Sequence, residues 1–223
     1  KQETQGLTEK YIGTWLSKDG NREKVILASK VVGRSDLNWV RDGKETRLTK
    51  EQINTAIEGS LKRLQTDYLD LYQIHWPDRK TNYFGARGYA HDENDDNVAI
   101  EETLETLGDL VKSGKVRHIG LSNETPWGLN EYLRLSKEKD LPRVVSVQNP
   151  YHLNDRHYEI GMAEISIREN CGLLAYSPLA MGVLTGKYLD GAQPEGARFT
   201  LANRSSQRYN PPQAQEAVRA YVE

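Results

Sequence analysis

Five apolar runs in this chain end on side chains that can hydrogen-bond or carry charge. The first ends on Ser29-Lys30, the second on His75, the third on Ser122-Asn123, the fourth on Gln148-Asn149 and the fifth on Tyr176-Ser177. Taken singly, any of these reads equally well as a helix cap or a solvent contact. Five in succession, with a lysine and a histidine among them, point to one shared site for a polar ligand.

A shared site requires elements that carry all five ends to one face. Residues 7–16 (LTEKYIGTWL) form an amphipathic helix with Leu7, Tyr11 and Trp15 spaced by four and Gly13 as its weak spot. The run 25–32 is β-branched and reads as a buried strand. Thr49 then caps a helix to about Gln65, with Gln52 three residues on completing a capping box. Further strands are expected at 68–75, 116–121, 144–147 and 172–176, and helices at 100–112, 127–137, 156–169 and from Pro211-Pro212 to Glu223.

Strand and helix thus alternate five times, which requires parallel pairing with helical crossovers. No Pro/Gly/Ser-rich linker divides the chain, so residues 1–223 read as a single domain. The connections 33–48 and 76–98 are long, and both follow strands. In a barrel they share the C-terminal face, where functional insertions collect. No G-x-G-x-x-G and no phosphate-binding G-x-x-x-x-G-K-[ST] is present, so a barrel is favoured over an open doubly wound sheet. Five strands fall short of the eight such a barrel needs. Lys1 opens the chain without an apolar leader and the last helix has no stop signal, so both ends look cut.

Several segments together resemble the aldo-keto reductases. SLKRLQTDYLDLYQIHWPD, residues 60–78, is similar to the family's helix leading into the strand that bears its catalytic histidine. ILASKV resembles the strand of the catalytic lysine, and GLSNE, QNPYHL and AYSPLAMGVLTGKY resemble later cofactor segments, in the right order. QNPY and GVLTGKY are nearest to the Tas-like and potassium-channel β-subunit-like groups. The resemblance covers essentially the whole chain. It implies a (β/α)8 TIM barrel, of which about five βα units are present here, and NADP(H)-dependent reduction of aldehydes and ketones.

The resemblance further implies an Asp-Tyr-Lys-His tetrad. Lys30 and His75 match two members; the Asp and Tyr would lie upstream of the first helix and are absent, so this stretch is expected to be inactive. An alkoxide left by hydride transfer must take a proton, and a phenol with a pKa near 10 is a reluctant donor unless a nearby ammonium lowers it. Lys30 is therefore assigned to tuning the acid, and His75 to positioning the carbonyl and relaying the proton. The resemblance places Ser122, Asn123 and Gln148 around the nicotinamide carboxamide and stacks Tyr176 on its ring. Ser177, Pro178, Leu179, Gly182, Leu184, Gly186 and Lys187 would wrap the pyrophosphate. Trp76 is a candidate wall of the substrate pocket, with Tyr83, Phe84 and Tyr89 as further candidates. A nicotinamide-binding regulatory or sensor protein with little turnover is the alternative.

The rest of the sequence narrows the field. With 30 Lys+Arg against 32 Asp+Glu and a net charge of −2, the chain has no electrostatic footprint for nucleic acid or an anionic membrane. A mean hydropathy of −0.74 and no long apolar stretch exclude a membrane span. The single Cys171 excludes an intrachain disulfide framework and a thiolate-rich zinc site, and reads as a packed thiol in a cytoplasmic protein. Asp92, Asn94 and Asp96 alternate as in a calcium loop, but the required Gly and the closing Glu are missing, so this run reads as a solvated acidic loop and no metal is expected. The oligomeric state leaves no trace in the sequence.

Overall fold

The computed structural model describes residues 2–202, 209 and 211–222. Its core is one sheet of parallel strands in the order β1-β2-β3-β4-β5: Ala28–Val31, Leu69–Ile74, Val116–Ser122, Val144–Gln148 and Gly172–Leu173. Helices α1 (Leu7–Leu16), α2 (Lys50–Leu64), α3 (Ile100–Lys112), α4 (Pro126–Glu138) and α5 (Met162–Arg168) alternate with the strands, and α6 (Arg198–Ala202) and α7 (Pro212–Val222) follow. A parallel sheet in sequence order with a helix between each pair is five units of a (β/α)8 barrel.

The two faces of the sheet differ in chemistry because side chains alternate along each strand. Ser29 donates to Glu9 Oε1 of α1 at 2.7 Å, which fixes its face as the helix side. Ser29 pairs with Tyr72 and Val31 with Ile74, and these join Ile119, Leu121, Val144 and Val147 in the buried core against the helices. The residues between them, Lys30, Gln73, Gly120, Ser122, Ser146 and Gln148, form the opposite, concave face, small or polar towards the C-terminal ends of the strands, with Leu71 below them against Gly120. A second, smaller cluster gathers Ala180, Val183, Tyr188 and Val218 beyond β5.

Several elements depart from their sequence reading. The strand expected over 25–32 is only Ala28–Val31, and Ile26 is 85% exposed. Its start is set by Asp70, whose carboxylate takes the Leu27 N–H at 2.9 Å in place of a ladder carbonyl. In α1 the Tyr11–Trp15 stripe faces outward, Tyr11 being 71% exposed, and the buried positions are Gly13 and Leu16. Gly13 is a contact point and no weak spot: a Cβ there would stand 2.3 Å from the Arg63 carbonyl oxygen of α2. The helix expected over 156–169 is broken into a 3-10 turn, His157–Glu159, and α5, because Gly161 sits at φ 86° between them. The fifth strand is two residues long, yet Leu174 and Tyr176 still donate to the Val147 and Asn149 carbonyls at 2.9 and 3.1 Å. Thr49 does cap α2, accepting from Gln52 N, but Gln52 Oε1 accepts from Arg47 N at 2.9 Å and not from the cap residue. Glu223, expected to end the last helix, lies outside the described residues.

Both long connections lie at the C-terminal ends of the strands and are joined to one another. Asp78, buried, accepts from Leu48 N at 2.7 Å, from Val98 N at 2.9 Å and from Arg47 Nε at 3.1 Å. Arg34 pairs with Asp95 and Asp96, and Lys80 with Asp92. The acidic run is largely exposed, as its reading as a solvated loop expects, and Asp95 and Asp96 also tie it to Arg34 of the other loop. Among the described residues no group of His, Cys, Asp or Glu could hold a metal, and no helix is long and apolar enough to cross a membrane. Cys171 is buried, and burial pushes its thiol up to about 11.

Candidate functional site

The strand ends meet at one place. His75 directly follows β2 and donates its backbone N–H to the Val31 carbonyl at 2.8 Å, just beyond Lys30. Asn123 follows β3 in the left-handed region, φ 52°, and this turn frees its amide to bond sideways across the sheet. Asn123 Nδ2 donates to the His75 carbonyl at 2.9 Å, and Tyr176 Oη donates to Asn123 Oδ1 at 2.8 Å. Ser122 Oγ donates to the Gln148 carbonyl at 2.8 Å, and Asn123 N to the same oxygen at 3.0 Å. The ends of β2, β3, β4 and the chain after β5 are therefore one hydrogen-bonded row. Gln148, opposite Ser122 in register, makes no side-chain hydrogen bond with a described residue.

Electrostatics distinguish the two titratable members. Burial first, and the Lys30 charge second, bring the His75 imidazole down to about 4, so it is neutral at pH 7. Burial likewise lowers the Lys30 ammonium below its ordinary value. An ammonium near a neutral imidazole can stabilise developing negative charge while the imidazole hydrogen-bonds to it.

Trp76 is buried and donates Nε1–H to the Arg34 carbonyl at 2.9 Å. Its ring lies 4.5 Å from His75 and 5.6 Å from Phe84, and Phe84 lies 6.4 Å from His75. The long loop thus brings Phe84, with Tyr83 beside it at 5.2 Å, onto the site. Tyr89 instead bonds His91 Nδ1 at 2.8 Å and is no part of this cluster.

The segment after Tyr176 winds tightly: Ser177, Ala180, Met181, Gly182 and Gly186 all have positive φ. Leu179 is 56% exposed, Leu184 packs on the second cluster, and Pro178 lies between Ser177 and Leu179 in the same turn. Gly182 faces the Lys187 side chain, whose Cε would be 2.8 Å from an added Cβ, and Gly186 faces Val222 of α7 at 3.3 Å. Lys187 makes no ion pair with a described residue and lies 5.3 Å above the Tyr188 ring. Ser177 to Lys187 are contiguous with the hydrogen-bonded row through Tyr176.

Sequence reasoning passed over the support behind this row. Asn149 accepts from Glu124 N at 3.1 Å and donates to the Glu124 carbonyl at 2.8 Å, while Glu124 pairs with Arg79. Asn149 was visible as a polar strand end; Arg79 and Glu124 carried no spacing signal.

Comparison with known proteins agrees with this architecture. The aldo/keto reductase family model matches residues 4–223. The chain is 52% identical to Protein tas of Escherichia coli (strain K12) over 223 residues, covering all of this chain and 64% of that protein. It is 42% identical over 211 residues to an aldo-keto reductase of Babesia bovis, covering 89% of this chain and 73% of that one. It is also 31% identical over 177 residues to a probable voltage-gated potassium channel subunit beta of Oryza sativa subsp. japonica, covering 78% of this chain and 49% of that one.

Proposed function

The chain belongs to the aldo/keto reductase family, and from that premise we propose that the full-length protein carrying it is an NADP(H)-dependent oxidoreductase reducing aldehydes and ketones to alcohols. The observation that supports this reading is the row linking His75 through Asn123 to Tyr176, with Lys30 beside it.

The residues present fit a nicotinamide. A carboxamide needs one donor and one acceptor, and the uncommitted Gln148 amide beside Ser122 Oγ offers both. Asn123 Oδ1 accepts from Tyr176 Oη and keeps a second lone pair for the carboxamide, so Asn123 both borders the nicotinamide and holds the Tyr176 ring for stacking. When bound, the nicotinamide supplies the hydride. Ser177, Pro178, Leu179, Gly182, Leu184 and Gly186 form the turn, and Lys187, without an ion pair among the described residues, brings positive charge for the pyrophosphate.

At the substrate carbonyl, His75 acts as a neutral hydrogen-bonding group and Trp76 walls the pocket. Lys30 favours the phenolate of a neighbouring proton donor. Two nearby tyrosines are not placed to be that donor: Tyr72 lies on the helix face, and the Tyr176 hydroxyl is committed to Asn123. On this reading the Asp and Tyr that the family resemblance calls for lie outside these 223 residues. We place the protein in the cytoplasm, as one domain acting on a small carbonyl compound.

The test is NADPH titrated into the full-length protein, read by nicotinamide fluorescence. Saturable binding is expected, weakened about tenfold or more by Tyr176→Ala through loss of one stacking contact. A well-folded protein that does not bind NADPH overturns the reading. Binding with no turnover of any carbonyl would favour the regulatory alternative.

A further inference from the structure

A cleft of about 580 Å³ opens above the ends of β3 and β4, between the loop 82–87 and the segment 150–157. It borders the site just described, because Phe84 lines it and also stands against His75.

The polar groups on its walls are unevenly satisfied. Tyr176 Oη donates to Asn123 Oδ1, and Glu124 N to Asn149 Oδ1. The Glu124 carboxylate is held by Arg79, with Nη1 to Oε2 at 3.1 Å, and Asp155 by His157 Nδ1 at 2.8 Å. Two donors have no such match. Arg87 forms no hydrogen bond or ion pair with a described residue, and Asn154 Nδ2 is shut off from solvent with no acceptor among the described residues. Arg87 is exposed and hydrated at the rim, whereas the Asn154 amide is a buried donor left unmet, which is unfavourable unless a ligand or a neighbour accepts from it. A cleft with an unpaired guanidinium at its rim, and with its carboxylates Glu124 and Asp155 already held by Arg79 and His157, suits an oxyanion.

We infer that the substrate carries, besides its carbonyl, a carboxylate or phosphate group held in this cleft by Arg87 and Asn154. The inference rests on the reductase reading above. It assigns the loop 82–87 a role in choosing the substrate, with Tyr83 and Phe84 covering the apolar part between the two ends.

The experiment compares matched pairs in the full-length protein: 4-carboxybenzaldehyde against benzaldehyde, and glyceraldehyde 3-phosphate against glyceraldehyde. The anionic member of at least one pair is expected to have the higher kcat/KM by about tenfold, roughly the value of one charge-assisted hydrogen bond. The pair that carries the larger ratio identifies the group. Arg87→Gln should bring that ratio down about tenfold, chiefly through KM, and Arg87→Lys should keep part of it. Ratios near one in the unmodified protein, or a ratio unchanged by Arg87→Gln, overturn the inference while turnover of the neutral aldehydes leaves the reductase reading standing. No NADPH binding and no turnover of any of the four overturns both.

Discussion

At the scale of single residues, His75 and Lys30 are linked through their charges. Burial disfavours the imidazolium and the Lys30 ammonium repels it, together placing the His75 midpoint at about 4 against an ordinary 6.5. An NMR titration of the imidazole should show that midpoint. Lys30→Met should raise it, but not to 6.5, since burial is the larger cause; an unmoved midpoint would disprove the coupling. The linkage follows in sign. The folded-state value is depressed, so the unfolded chain takes up the proton first and stability falls as pH drops from 6.5 towards 4. Denaturant midpoints at pH 7.5 and 5 should therefore differ less in His75→Gln. Lys30 and His75 were legible because each interrupts an apolar run. Asn123 was legible only as a polar strand end. Its bond to the His75 carbonyl depends on a φ of 52° and on the alignment of β2 with β3, neither of which residue type encodes. Arg87 had no signal, because a loop has no period against which an unpaired charge stands out.

At the scale of elements, the alternation of strand and helix was readable because apolar runs of strand length alternate with helical spacing and caps. What escaped was set by tertiary partners. The start of β1 is fixed by Asp70, and the buried face of α1 by the close approach of Gly13 to α2. The joining of the two long loops is a third case, since Asp78 ties residues thirty and twenty positions away from it in sequence. Its side chain is 2% exposed and accepts two backbone N–H groups and Arg47. Asp78→Ala would leave those donors and a largely buried guanidinium without their acceptor, a loss of about 3 kcal/mol. The expected result is a lower denaturation midpoint, with amide exchange accelerated most at Leu48 and Val98. Exchange that rises uniformly over the chain would mean that Asp78 does not act as a local clasp.

At the scale of the whole molecule, β1 and β5 are the outer strands of the sheet among the described residues, and the chain spans 64% of the length of Tas. Each outer strand leaves one row of backbone groups without a strand partner there, and β5 is only two residues long. The upper part of the concave face, bearing Lys30, Gln73, Ser122 and Gln148, is polar and adds little apolar burial to hold the sheet in shape. Expressed alone, the 223-residue stretch should therefore be marginally stable and prone to self-association. It should also be inactive, because Lys30 and His75 can tune and orient a proton donor, but Tyr72 lies on the helix face and the Tyr176 hydroxyl is committed to Asn123. The check is turnover of the four aldehydes by the purified stretch beside the full-length protein, with circular dichroism recorded on both. Turnover by the stretch at a rate comparable to the full-length protein would mean that the proton comes from a group already present here, with His75 the first candidate. A folded, silent stretch would place the missing acid elsewhere in the protein and leave Lys30 and His75 as its supporting residues.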